Sequence, residues 1–151
     1  MPILLILMLM PVKVSIVEDL DEVREGLADL VRSDKELLLL DNFEDAESAA
    51  EKLPAIQPDI VIMDINLPGM SGIDCIKKIK EKCPATQFMM FTVYENDEKV
   101  LKALQAGATG YLLKRTRPER ILESIKELNQ GGSPMSSNIA RKLVNIFLTE
   151  K

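Results

Sequence analysis

The stretch DIVIMDINLPGMSGID, residues 59–74, decides the fold. Within it Ile60 to Met63 is an unbroken apolar run of strand length, too continuously apolar for a sheet that is wet on one face. The run stops at Asp64, and Pro68-Gly69 predicts a tight turn that holds the following loop still. Beyond the turn Ile73, Ile76 and Ile79 recur at helical spacing. A doubly buried strand feeding an amphipathic helix is the repeating unit of a parallel α/β sheet. Working outward, the same alternation predicts strands at 12–17, 37–40, 60–63, 88–91 and 111–113. Helical stripes lie between them: Leu20, Val23, Leu27, Leu30 and Val31, then Ala46, Ala49, Ala50 and Leu53. Val100, Leu101 and Leu104 follow with Asn96 as N-cap. Ile121, Leu122, Ile125 and Leu128 come last, opened by Pro118 and closed by Gly131. The pattern βαβαβαβαβα implies right-handed crossovers and a doubly wound α/β fold with helices on both faces.

The chain length of 151 residues suits one compact domain with short appendages. With 46% apolar and 28% charged residues it can build a core, and its net charge of −5 argues against nucleic acid or an anionic membrane as a direct partner. There is no histidine, which removes histidine-based acid–base catalysis, catalytic triads and histidine metal sites. Cys75 and Cys83, read as sharing one helix, are buried or half-exposed thiols of a reducing, cytoplasmic compartment. The opening MPILLILMLM is about half of the ~20 apolar residues a membrane span requires, so no membrane partner is expected. Residues 1–10 read as a non-essential apolar extension, an upstream start, or else an extra strand or sticky tail. Residues 11–131 read as the domain. After the Gly131-Gly132-Ser133-Pro134 breaker, residues 132–151 read as one more amphipathic helix, carrying Ile139, Leu143, Ile146 and Phe147. That helix suits a linker, a docking or dimerisation helix, or a helix that packs back on the domain.

Ligands of open α/β sheets bind beyond the carboxyl ends of the strands. There the chain places Glu18 and Asp19 after the first strand, Asp64 after the third, Thr92 after the fourth and Lys114 after the fifth. Three carboxylates at one edge repel one another unless a cation joins them. Oxygen-only ligands select a hard ion, and a few carboxylates with water suit Mg²⁺ better than a calcium cage. Lys114 supplies a mobile point charge, Thr92 a hydroxyl, and Asn66 a backbone carbonyl facing the same spot. A carboxylate so surrounded can act as a nucleophile toward phosphorus, and Asp64 is the candidate. Each residue also has an ordinary role: Asp19 a helix cap, Glu18 a solvated acid, Asp64 a turn acid, Thr92 a cap, Lys114 a surface charge. Their joint placement at the ends of strands one, three, four and five singles them out. Tyr111 reads as core or half-core.

The motifs VSIVED (14–19), DIVIMDINLPGMSGID (59–74), MMFTVY (89–94) and GATGYLLK (107–114) resemble the receiver domain of bacterial two-component response regulators. The resemblance covers about residues 11–131. It implies strand order 2-1-3-4-5, Asp64 as phosphoacceptor, and Mg²⁺ among Glu18, Asp19, Asp64 and the Asn66 carbonyl. It further implies Lys114 on the phosphoryl group, Thr92 and Tyr111 as a switch pair, and a sensor histidine kinase as donor. Tyr111 would turn into space vacated by Thr92, changing the face formed by the fourth helix, fifth strand and fifth helix, with a homodimer as one outcome. The tail GGSPMSSNIARKLV resembles the NarL/LuxR class, which implies DNA contact only through a helix-turn-helix domain lying beyond the sequence given. Two departures stand out: Val93 follows the switch threonine where a smaller residue is common, and Arg115 replaces a proline that is often cis. Such a receiver is a phosphoacceptor rather than an enzyme. The alternatives are a degenerate receiver acting as an interaction scaffold and a Mg²⁺-dependent aspartyl-phosphate phosphatase. The phosphatase chemistry wants a second aspartate two residues after the first, where Asn66 stands, and a flavodoxin-like binder wants a phosphate-cradling loop where Glu18-Asp19 stands.

Overall fold

The computed structural model describes residues 2–149. The elements run α1 (Ile3–Leu9), β1 (Val12–Val17), α2 (Asp21–Arg32), β2 (Leu37–Phe43), α3 (Ala46–Ile56), β3 (Ile60–Met63) and α4 (Gly72–Ile79). A 3₁₀ turn (Lys80–Lys82) follows, then β4 (Gln87–Thr92), α5 (Asp97–Ala106), β5 (Ala108–Leu113), α6 (Pro118–Asn129) and α7 (Ser137–Thr149). The five strands form one all-parallel sheet in the order β2-β1-β3-β4-β5.

The side-chain period of two sends alternate residues of each strand to opposite cores. Val14, Ile16, Ile60, Ile62, Met89, Phe91 and Leu112 pack on one face against Leu27, Ala28 and Val31 of α2 and Ile121, Ile125 and Leu128 of α6. Val17, Val61, Met63, Phe88, Met90, Tyr111 and Leu113 pack on the other against α3, α4 and α5. That double burial is why the central strands carry so few polar residues. Asp45 caps α3 by accepting from the Ser48 amide at 2.7 Å, and Ser71 caps α4 by accepting from the Asp74 amide at 3.1 Å. Asn96 occupies the N-cap position of α5 without a side-chain capping bond. Gly69 has φ = +78°, the backbone a Pro-Gly turn asks of its glycine.

Several expectations need correcting. β2 runs on to Phe43, β4 gains Gln87 and Thr92, and β5 starts at Ala108, because ladder pairing with a neighbour extends a strand past its apolar stretch. The apolar opening is a seventh helix rather than a strand, with Ile3, Leu4 and Leu9 exposed. Cys83 lies beyond the 3₁₀ turn, so the two cysteines do not share a helix; both are buried and free. Burial pushes the Cys75 thiol up to about 12, which leaves it unreactive. Among the described residues every peptide bond is trans, including that between Lys114 and Arg115, and no helix is long and apolar enough to cross a membrane.

The last helix packs back on the domain. The Tyr111 amide donates to the Pro134 carbonyl at 2.9 Å, and the Ser136 amide donates to the Tyr111 carbonyl at 3.1 Å. The Leu113 amide donates to Ser136 Oγ at 3.2 Å. Residues 134–136 thus occupy the open edge of β5, and α7 then drops fully buried Ile139 into the core beside α5. Lys142 closes the contact on Asp97 at 3.2 Å.

Candidate functional site

The loops at the carboxyl edge bring the predicted acids together. Glu18, Asp19 and Asp64 each offer a carboxylate oxygen within 4.8 Å of the others, and Glu18 and Asp64 are buried. Parallel pairing does this: Ile16 and Val17 of β1 sit opposite Ile62 and Met63 of β3, so the acids that follow leave the sheet side by side. Asp19 is not the cap of α2; Leu20 holds that position, without a side-chain bond, and the Asp19 carboxylate stays with its neighbours.

Asp64 divides its two oxygens between two tasks. Oδ1 accepts from the amides of Ile65 at 2.7 Å and Asn66 at 3.4 Å, which fixes the carboxylate plane. Oδ2 accepts from Lys114 Nζ at 2.8 Å. The same ammonium lies 2.7 Å from Glu18 Oε1. That contact is an ion pair off the line of a good hydrogen bond, so Glu18 Oε1 remains a buried acceptor without a donor. Burial is the main reason the Glu18 carboxyl is held above the usual carboxylate range, with Asp64 adding to it against the pull of Lys114. Burial works against the Lys114 charge, yet the hydrogen bond to Asp64 and the ion pair with Glu18 outweigh it and hold that group above its ordinary value. A lone ammonium therefore bridges an acidic nest that has more negative charge than it can balance.

Thr92 and Tyr111 sit beside this nest, both fully buried. Thr92 Oγ1 accepts from the Tyr94 amide at 3.3 Å, and Tyr111 Oη donates to the Tyr94 carbonyl at 2.7 Å. In this structure the Tyr111 ring is already inward, and the two switch candidates meet on one loop residue. Asn66 is exposed in the loop after Asp64, its amide turned to that carboxylate. Val93 is exposed at the rim.

A model of the response regulator receiver domain matches residues 14–126. The chain belongs to that family. The receiver is 32% identical over 140 residues to the transcriptional regulatory protein LnrK of Bacillus subtilis, covering 93% of this chain and 64% of LnrK. It is 32% identical over 133 residues to the DNA-binding transcriptional activator DevR/DosR of Mycobacterium tuberculosis, covering 88% of this chain and 61% of that protein. A crystal structure of a LuxR-family two-component response regulator from Aurantimonas superposes with a TM-score of 0.84 at 30% identity, covering 91% of this chain and 99% of that one. The receiver spans about three fifths of the length of the curated relatives it matches. Their names put the family in two-component signalling and transcription regulation, where receivers are regulatory modules rather than enzymes of the ordinary kind.

Three residues near the site carry no signal in the sequence. Gly72 lets α4 start against the Asp64 carbonyl, Tyr94 joins Thr92 to Tyr111, and Arg24 donates to the carbonyls of Glu18 and Asp19. Each of these contacts has a main-chain group on one side, which every residue possesses, so no spacing announces them.

Proposed function

We propose that this receiver accepts a phosphoryl group on Asp64 from a phosphohistidine of a separate sensor histidine kinase. The observation that carries the reading is the convergence of Glu18, Asp19 and Asp64 with Lys114 Nζ, 2.8 Å from Asp64 Oδ2, at one sheet edge. In the transfer a carboxylate oxygen of Asp64 bonds to phosphorus while the phosphorus–nitrogen bond of the donor breaks and its electron pair stays on the imidazole nitrogen. A donor on another protein accords with a chain that has no histidine. Lys114 trades its bond with Asp64 for one with a phosphoryl oxygen, and the Thr92 hydroxyl donates to another.

The donor set fits a divalent cation: every ligand is a hard oxygen, and buried Glu18 Oε1 has only the ion pair with Lys114, an ammonium it shares with Asp64. Glu18, Asp19, Asp64 and the Asn66 backbone carbonyl are the residues that would hold Mg²⁺. When bound, it offsets the negative charge that gathers as phosphoryl and carboxylate oxygens approach.

Phosphorylation brings a charge of about −1.5 to −2 into the pocket. Drawing Thr92 toward it loosens the bond between Thr92 and the Tyr94 amide, and Tyr94 also receives the Tyr111 hydroxyl. The inward Tyr111 is therefore one side of a two-state equilibrium that the phosphoryl group biases through its differential contacts. The α5–β5–α6 face changes with it, and a second copy docks there only where residues 134–136 and α7, which cover the β5 edge and part of α5, give way. Output passes to DNA through a domain attached after α7, and the setting is the cytoplasm.

Intact mass after incubation with a small acyl phosphate, with and without Mg²⁺, tests the reading. The expected result is a hydroxylamine-labile gain of one phosphate that requires the metal and disappears in Asp64→Asn, whose circular dichroism is unchanged. Full labelling of Asp64→Asn at another residue, or no gain in the parent chain, overturns it; the second result would leave an interaction scaffold.

A further inference from the structure

The acidic nest faces a mechanical problem that its own side chains solve only in part: Glu18 Oε2 accepts from the Leu20 amide at 3.1 Å, and among the described residues no such bond holds the Asp19 peptide. Glu18 and Asp19 lie where β1 has ended and α2 has not begun. The Glu18 amide is still tied, donating to the Phe43 carbonyl at 3.0 Å, but the next carbonyls have left the ladder. Leu20, the N-cap of α2, has no side-chain capping bond, and only its main chain ties the turn, its amide to Glu18 Oε2 and its carbonyl to the Arg24 amide at 2.9 Å. Mutual repulsion of three carboxylates favours any rotation of these peptides that swings the acids apart.

Arg24 occupies the place where that rotation can be stopped. Its side chain is only 11% exposed, unusual for an arginine on the first turns of a surface helix. Nη1 donates to the Glu18 carbonyl at 2.8 Å and reaches the Asp19 carbonyl at 3.4 Å. Nη2 donates to Asp21 Oδ1 and lies 3.5 Å from Glu44 Oε1 on the neighbouring loop. Both of those acids are well exposed, so their pairs contribute little by themselves and serve to set the plane of the guanidinium. The planar fork lets one nitrogen face two successive carbonyls while the other is anchored by the acids; a lysine ammonium is a point donor without that second, anchored arm.

We infer that Arg24 is a positioning residue for the cation site: its guanidinium clamps the main-chain carbonyls of Glu18 and Asp19 and so keeps both carboxylates aimed at the ion. The inference rests on the reading that Glu18, Asp19 and Asp64 take Mg²⁺. Groups that orient metal ligands from behind typically change metal affinity by about 10- to 100-fold when removed.

The sign of the effect separates the clamp from simple electrostatics. Deleting a positive charge beside an acidic nest should tighten Mg²⁺ binding, whereas releasing a clamp should weaken it. Arg24→Gln removes charge and fork together; Arg24→Lys keeps the charge and loses the fork. Isothermal titration of Mg²⁺ into the full chain, without any phosphodonor, is the measurement. Thermal midpoints with and without the ion accompany it. The clamp predicts a dissociation constant about tenfold higher for Arg24→Gln and clearly higher for Arg24→Lys. It also predicts a smaller upward shift of the midpoint by saturating Mg²⁺ in both variants. Unchanged or tighter binding in either folded variant overturns the inference. So does a metal-free midpoint that falls while the Mg²⁺ affinity of the folded protein is kept, since Arg24 would then be a structural residue only. If Arg24→Gln does not fold, Arg24→Lys decides alone, and an unfolded Arg24→Lys likewise assigns a structural role. Failure of the parent chain to bind Mg²⁺ would sink the underlying reading of the site, an outcome distinct from all of these.

Discussion

A β-carbon built on Gly72 would lie 1.9 Å from the Asp64 carbonyl oxygen and 2.8 Å from Met63 Cγ. The Gly72 amide meanwhile donates to the Ile65 carbonyl at 2.9 Å, so α4 begins in direct contact with the backbone that carries the phosphoacceptor candidate. Gly72→Ala must push the end of β3 and the start of α4 apart. The expected cost is about 1–3 kcal/mol in urea unfolding, as for other overpacked sites. Because a shift of roughly 1 Å at reacting atoms can cost about 100-fold, phosphate uptake followed by intact mass should slow by at least tenfold. Retention of both stability and uptake would show that the contact is easily relieved. The contrast with Asp64 shows what a sequence discloses at this scale. Glu18, Asp19, Asp64 and Lys114 are charged residues following apolar strands, and such residues stand out as needing a reason. Gly72 and Arg24 serve the backbone of their neighbours, and a backbone partner leaves no trace in residue type.

Elements were legible where burial made them so. β1 and β3, with helices on both sides, have the expected bounds, since every residue of β3 is buried and therefore apolar. β5 begins three residues before its apolar run because Ala108, Thr109 and Gly110 are poor strand formers held in place by pairing with β4. β2 is an edge strand whose later residues include Asp41 and Asn42, so its pattern fades before its pairing does. The α2–β2 turn is fastened across the molecule to α6, which sequence alone gives no means to foresee. Lys126 Nζ contacts Asp34 Oδ2 at 2.7 Å and Glu36 Oε2 at 2.6 Å. The hydrogen bond from Lys126, then that from the Glu36 amide, holds the Asp34 carboxyl below its usual value. The unfolded chain therefore takes up the Asp34 proton first as pH falls. The contribution is complete above about pH 4 and is lost as the medium passes through the lower folded value. Lys126→Met should cost about 0.5–1 kcal/mol at neutral pH, a modest figure because the pair is partly solvated. In urea titrations at pH 7 and pH 3, the gap between parent and variant should narrow at the acid end.

At the scale of the whole receiver, Tyr111 is where the acidic edge, the core and the C-terminal helix meet. Its hydroxyl holds the loop after β4, its ring fills the core on the α3–α4–α5 side, and its backbone pairs with residues 134–136 that lead into α7. One residue thus touches both the loop after β4 and the segment that leads into α7, and α7 in turn is fixed to α5 by Ile139 and Lys142. The amphipathic tail gave no indication of which of its possible roles it takes, because its apolar spacing is the same whether it meets its own domain or a partner. Burial of Tyr111 is testable without any ligand. Burial above all, with lesser effects from the nearby acids Asp64 and Glu95, raises its phenol well above the ordinary value. The unfolded chain therefore releases this proton first, near pH 10, and stability is lost as pH climbs beyond that point toward the folded value. Each pH unit in that window removes up to about 1.4 kcal/mol. Tyr111→Phe should cost about 1 kcal/mol at neutral pH, because the Tyr94 carbonyl loses its donor, and should lack this alkaline loss. Urea unfolding of both proteins between neutral pH and pH 11 measures the difference. The parent should fall relative to the variant by roughly 1 kcal/mol at the alkaline end, so the two curves converge or cross. Parallel curves would mean that the Tyr111 hydroxyl reaches solvent, and the contact path from the acidic edge to α7 would lose its central residue.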